Sequence, residues 1–382
     1  MQFVDQTFLF SILLSGIITA LFCWLIVLTK EWHGKHSGDL IIGIQKFHTA
    51  HTPRIGGLAM FVGLIIAETI TVGPQVHLLK LMLISSLPTF AAGLAEDISK
   101  KVGIRTRLFA SMLSGVAAWS LTGYALNQLN IQGVDALLAY LPIAVAFTAF
   151  CVAGVVHATN IIDGFNGLAS GTVIICLSAL GLIAWQAGDI QLAQITLILI
   201  AVVTGFLVIN FPFGKIFMGD GGAYLLGFML AWVAVMLPIR NPSVSVWAPF
   251  LVCSYPIIET IYSMARRTHN KVSPGHPDIS HMHSLIKTKI ITPYLPQIPK
   301  ALRNAIVSPF CWLYTLIPAT MATQYYTQPD TLIITWLITF ALYHTIYKQL
   351  NNIKIPTPPP NSPSIKTRLK IESQLLIQLH EN

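Results

Sequence analysis

Charge is scarce in this sequence. Only 10% of its 382 residues are charged, while 54% are hydrophobic and the mean hydropathy is +0.67. A soluble domain carries roughly a quarter charged residues, so a water-soluble globule is excluded and a polytopic membrane protein is indicated. Acids are the scarcest charges, 15 against 23 Lys and Arg, so each acid near the membrane calls for a functional explanation. Paired cysteines are lacking too. Cys23, Cys151, Cys176, Cys253 and Cys311 lie singly inside apolar runs, which excludes a disulfide framework and a cysteine zinc site. No basic stretch precedes the first apolar run, so it reads as a retained span rather than a cleaved signal. No internal repeat of the kind that marks many transporters is visible.

What is present is a series of apolar runs of membrane length. Eleven centre near residues 18, 63, 85, 117, 146, 177, 202, 229, 256, 311 and 339, which predicts an all-α protein with about 11 transmembrane helices. The basic residues divide by loop: four in 30–54, four in 96–107, one in 212–220, seven in 266–303 and five after residue 347. The alternate loops carry almost none. Positive charge stays on the cytoplasmic side, so the N-terminus is expected in the periplasm and the C-terminus in the cytoplasm. The net charge of +8 suits anionic headgroups of membrane lipids and phosphate substrates better than nucleic acid. Residues 1–350 form the transmembrane body. Residues 351–382 hold a stiff KIPTPPPNSP linker and a short amphipathic tail.

The polar residues gather in the loops assigned to the cytoplasm. HTAHTPRIGG (48–57) offers Arg54 to phosphate, or is an ordinary turn with a positive-inside charge. GLAEDISKKVGIRTRL (93–108) ends a span on two adjacent acids, Glu96 and Asp97. They repel each other unless a cation is near; otherwise they end a helix before a solvated basic loop. NIIDGFNGLASG (160–171) sets Asn160, Asp163 and Asn166 among glycines that allow a ligand close to the backbone, or caps the next helix. FGKIFMGDGGAYLLGF (213–228) places Asp220 before bare N–H groups at a helix start, as an N-cap or as a ligand for a metal with phosphate. Asp220 and Asn160 together give two hard oxygen ligands, and Mg²⁺ takes few protein ligands besides water and phosphate oxygens. In SPGHPDISHMHSLI (273–286), His276, Asp278, His281 and His283 lack the cysteine or further acid that zinc would need. Phosphate or sugar contact by His281 and His283 reads better, with a solvated loop as the plain alternative.

Taken together, HTPRIGG, GLAEDISKK, NIIDGFNGL, FMGDGG and the His-x-His of SHMHS resemble, in order and topology over about residues 45–290, the polyprenyl-phosphate N-acetylhexosamine-1-phosphate transferases of glycosyltransferase family 4. The resemblance implies a membrane enzyme of the bacterial inner membrane working at its cytoplasmic face. It would move a sugar 1-phosphate, by family habit GlcNAc-1-phosphate, from a UDP-N-acetylhexosamine to undecaprenyl phosphate, release UMP and start an O-antigen or similar glycan. By the same resemblance Asn160 and Asp220 hold Mg²⁺, for which Mn²⁺ substitutes. Asn166 contacts uracil, and Asp163 shares that nucleotide loop. His281 and His283 close over the diphosphate and sugar. Asp97, Glu96 and Lys100 match the family's catalytic acidic pair and lysine, while Lys46 and Arg54 serve the lipid phosphate. Kin of this kind suggest a homodimer. Two departures stand out: Glu96 and Glu259 occupy positions where relatives commonly carry Asp.

The implied chemistry brings two anions together, so Lys, Arg and His donors with one divalent cation must offset the repulsion. A phosphate monoester has a second pKa of about 6, so the attacking lipid phosphate needs no strong base. Direct attack, with Asp97 orienting or deprotonating the acceptor, is preferred to a phospho-carboxylate intermediate. A lipid-phosphate transporter or flippase is the main alternative, yet it predicts polar groups near the bilayer midplane rather than at one face. A membrane phosphohydrolase is the catalytic alternative.

Overall fold

The computed structural model describes residues 5–39, 52–271 and 280–353. The chain is built from helices: α1 (Gln6–Leu28), α2 (Lys30–Ser37), α3 (Gly56–Ile70), α4 (Gln75–Ser99), α5 (Ile104–Thr122), α6 (Val134–Leu138), α7 (Leu141–Ile161), α8 (Leu168–Gln186), α9 (Ile190–Asn210) and α10 (Gly219–Arg240). After these come α11 (Trp247–Val252), α12 (Ser254–His269), α13 (Met282–Leu285), a π-helical stretch Ile286–Ile291, α14 (Thr292–Tyr294), α15 (Lys300–Tyr325) and α16 (Pro329–Asn352). Among the described residues the one sheet is a two-residue antiparallel pairing, Gly38–Asp39 with Thr52–Pro53.

Seven helices are long and apolar enough to cross a membrane: α1, α4, α7, α8, α9, α10 and α15 from Leu302. This is the make-up of an all-α multi-pass membrane protein. The other four expected runs are helical but differ for separate reasons. With 15 residues, α3 rises only about 22 Å, short of a hydrocarbon core of about 30 Å. Arg105 and Arg107 sit in the first turn of α5. The run near residue 256 breaks at Cys253 between α11 and α12. Lys348, His344 and four hydroxyl-bearing threonines dilute α16. The tail beyond residue 353 lies outside the described residues.

The central element is α10. It is buried from Gly219 to Leu237 almost without interruption, as a helix apolar all round must be. It packs on α3, α4, α7 and α8. At its far end Arg240 grips Asp189 with two nitrogens at 2.6 and 2.8 Å and reaches the Tyr124 hydroxyl at 2.9 Å. Its first turn carries Asp220. There α4 and α7 finish while α3 and α5 begin, so alternating helix direction collects five chain segments at one level.

Close approach makes that level tight. A Cβ on Gly93 of α4 would stand 2.7 Å from backbone atoms of Asp220 and Gly221, so α4 can meet α10 backbone to backbone only through glycine. The strand-like segment before α3 joins in: Phe217 N–H donates to the Pro53 carbonyl at 2.8 Å, and Gly56 N–H to that of Phe217 at 2.9 Å. Gly219 has φ +74°, the left-handed backbone that glycine adopts without strain. Substituting Gly93 by Ala should cost about 1–3 kcal/mol through overpacking that backbone cannot relieve. A lower melting temperature in detergent checks it, with Gly103→Ala, which meets open space, expected to melt like the parent.

Candidate active site

Asp97 is buried near the end of α4, and both of its oxygens are engaged by the start of α10. Oδ1 accepts the Asp220 N–H and Oδ2 the Gly221 N–H, each at 2.8 Å. The unpaired N–H groups of a helix start attract a carboxylate, so Asp97 caps α10 from a neighbouring helix. Arg54, fixed by the pairing of residue 53 with 217, then bridges two acids. Its Nε lies 3.3 Å from Asp97 Oδ1, and one terminal nitrogen donates to Asp220 Oδ1 at 2.6 Å. Arg107, in the first turn of α5, donates to the other oxygen of Asp220. From the last turn of α7, the Asn160 side-chain amide donates to Asp220 Oδ1 at 3.2 Å.

Asp163 lies half-buried in the loop 162–167 that links α7 to α8. Burial first, and then the negative charges of Asp220 and Asp97, push its carboxyl well above the usual carboxylate range against the opposing pull of Arg54. Asn166 is buried, and its side-chain amide donates to the Pro212 carbonyl at 2.9 Å while its own carbonyl accepts the Ser308 hydroxyl at 2.6 Å. The histidine pair approaches the same loop from the other side. His281 and His283 stack 5.2 Å apart at 8°, and His283 meets the Phe165 ring edge-on at 5.3 Å. Lys287 lies 5.3 Å from the centre of that ring and donates to the Asn304 side-chain oxygen at 2.5 Å. Burial, with the Arg303 charge behind it, brings the Lys287 ammonium down to about 7.

Residues 79–238 match the family model described as glycosyl transferase family 4. Over 254 residues the chain is 29% identical to an undecaprenyl-phosphate alpha-N-acetylglucosaminyl 1-phosphate transferase of Yersinia pestis, covering 63% of this chain and 67% of the relative. Over 245 residues it is 29% identical to a probable undecaprenyl-phosphate N-acetylglucosaminyl 1-phosphate transferase of Bacillus subtilis, covering 63% and 66%. A decaprenyl-phosphate N-acetylglucosaminephosphotransferase of Mycolicibacterium smegmatis is 26% identical, covering 75% of each chain. Over these stretches the chain is similar to members of glycosyl transferase family 4. It spans about two thirds of the length of the first two relatives.

Not every residue singled out from the sequence joins the cluster. Glu96 turns aside, and its Oε2 accepts the Val102 N–H at 2.8 Å, which ties the turn after α4. Consecutive helical side chains point about 100° apart, so burying Asp97 against α10 carries Glu96 away from it. Lys100 ends α4 at φ +56°, and its ammonium donates to the Asp97 backbone carbonyl at 2.6 Å. Lys46, His276 and Asp278 lie outside the described residues.

Two residues of the cluster had no individual role assigned from the sequence. Arg107 stood in a basic loop where positive-inside charge explained it. His157 is hidden in an apolar run; it lies one turn before Asn160, 5.1 Å from the Tyr224 ring. Arg107 Nε and His157 Nε2 are both buried with no hydrogen-bond partner among the described residues. Proteins leave few such atoms unsatisfied, so water or ligand atoms belong in this corner.

The donor chemistry fits a hard divalent cation. Asn160 and Asp220 are within reach of one another, and a half-turn of the Asn160 amide, whose nitrogen and oxygen are interchangeable by assignment, would place two oxygens together. Among the described residues no group of three His, Cys, Asp or Glu side chains forms a metal set. An ion here would therefore draw further ligands from water and phosphate, as Mg²⁺ does.

Asp163 gives a signed prediction. Its folded-state pKa lies above the unfolded value of about 3.9, so the native state holds more protons and stability falls as pH climbs from below that value toward the folded one. Asp163→Asn should remove this loss. In ligand-free melts the variant should match the parent at low pH and exceed it at neutral pH; identical pH dependence would contradict the burial argument.

Proposed function

We propose that the protein transfers an N-acetylhexosamine 1-phosphate, GlcNAc-1-phosphate first among the candidates, from a UDP-sugar to undecaprenyl phosphate. UMP is released and a lipid-linked cell-envelope glycan of O-antigen type begins. The observation that carries this reading is the meeting of Asp220 with Asn160, Asp97 and two arginines at the start of the central helix. The relatives' printed activities, on undecaprenyl or decaprenyl phosphate, agree with it. The proposal includes an eleven-span body in the bacterial inner membrane, a periplasmic N-terminus, a site at the cytoplasmic face and assembly as a homodimer.

The chemistry follows from charge. Donor diphosphate and acceptor phosphate repel each other, so the chain must supply positive charge where they meet. Arg54 and Arg107 face the reacting groups with planar, permanently charged forks that match phosphate oxygens. In the absence of substrate they pair with Asp220, which keeps both forks aimed at one point. Asp220 and Asn160 would hold Mg²⁺ or Mn²⁺, which when bound neutralises the diphosphate and stabilises the departing UMP. Asn166 and Asp163 shape the nucleotide side of the loop. Because Asp97 spends both oxygens on α10 and Arg54, its part is to orient these groups rather than to take a proton or a phosphoryl group. The lipid phosphate, already largely dianionic near neutral pH, attacks unaided.

Purified protein given UDP-GlcNAc and Mg²⁺ should release UMP only when undecaprenyl phosphate is added. Release without lipid phosphate would make the protein a hydrolase, and no release with a panel of UDP-sugars would overturn the reading. Asp220→Ala should lower turnover by at least about 10²-fold, the scale of losing one preorganised electrostatic group. Unchanged turnover and metal dependence would remove Asp220 from the site.

A further inference from the structure

The one fully buried acid away from the Asp220 cluster, among the described residues, is Glu259 on α12, with 0% exposure. A charge so placed is costly unless paired and hydrogen-bonded, and each of its oxygens has a partner. Oε1 faces His281 Nδ1 at 2.9 Å and the Met282 N–H at 3.4 Å. Oε2 accepts the Tyr343 hydroxyl of α16 at 2.9 Å. A carboxylate on Nδ1 fixes a histidine's tautomer and ring plane, and so decides what the second nitrogen offers. The plane is passed on: the His281 ring stacks at 8° on His283. His283 in turn packs on Phe165, and a Cβ on Gly164 would stand 3.2 Å from its Nε2.

We infer that Glu259 is a positioning residue. It holds His281, and through ring stacking His283, over the loop that carries Asp163, and Tyr343 holds Glu259 in turn. A helix that contributes no side chain to the Asp220 cluster thus sets the aim of the two groups that close over the donor. The inference rests on the proposed function only in assigning His281 and His283 to contact with the UDP-sugar.

The test is a double-mutant cycle in UMP release with Glu259→Gln, His281→Ala and the pair. Glu259→Gln keeps the shape and the hydrogen-bonding reach but removes the charge. It should lower turnover about tenfold or more in the parent and change it less than about twofold when His281 is already Ala, because groups acting as a unit are non-additive. A merely structural role would lower the melting temperature and multiply with His281→Ala; that result, or parental turnover in Glu259→Gln, overturns the inference. Should Glu259→Gln fail to fold, Tyr343→Phe takes its place with the same expected dependence on His281, and additivity there is equally fatal. A parent that releases no UMP sinks the functional reading instead. The melting shift induced by UDP then decides: equal loss in Glu259→Gln and His281→Ala supports the positioning role, and a shift retained in Glu259→Gln overturns it.

Discussion

The carboxylate of Asp97, closed on the backbone N–H groups of Asp220 and Gly221, is the contact from which the rest of the site hangs. A helix start inside a protein leaves N–H groups that water cannot reach, and an acid from another element satisfies them while meeting the positive end of the helix dipole. Because that acid stands on α4, the end of α4 is locked to the start of α10. The lock needs the bare backbone of Gly93, where any side chain would press on Asp220. Once α10 is fixed, Asp220 projects to a set place, and Arg54 from the segment before α3 and Arg107 from α5 arrive to pair with it.

The cluster holds more negative charge than it can easily carry. Asp97, Asp163 and Asp220 face two arginines, and burial beside the other acids pushes Asp163 toward its neutral form. Such an arrangement stays compact without ligand yet gains from an added cation, which is the balance that a metal-dependent phosphoryl transfer requires. The second half of the site follows the same economy of pairing. Glu259, Tyr343 and His281 satisfy one another at the junction of α12, α13 and α16. The two halves meet at the loop 162–167, with Asp163 toward the first and Phe165 toward the second.

Much of this was legible in the sequence, for identifiable reasons. Apolar runs report helices directly, and all eleven runs fall on helical segments. Length and composition alone qualify seven of them, because α3 is short, α11–α12 is broken and α5 and α16 carry polar groups. Asn160, Asp163 and Asp220 stood out because acids and amides are expensive beside membrane spans. Other assignments needed three dimensions. The Glu96–Asp97 pair reads as a unit in sequence, yet helix rotation sends one side chain into α10 and the other to the Val102 N–H. Arg107 looked like any cytoplasmic basic residue, since its partner Asp220 lies 113 positions away. Glu259 stood out only by resemblance, and its bond to Tyr343 spans 84 positions.

The most direct test is an experimental density map of the protein with Mn²⁺ and UDP-GlcNAc, with the metal located by its anomalous signal. The account predicts a manganese peak shared by Asp220 and Asn160, Arg54 and Arg107 turned onto diphosphate oxygens, and Asp97 still seated on the first turn of α10. A nucleotide bound elsewhere, with both arginines left on Asp220 and no metal beside it, would contradict it.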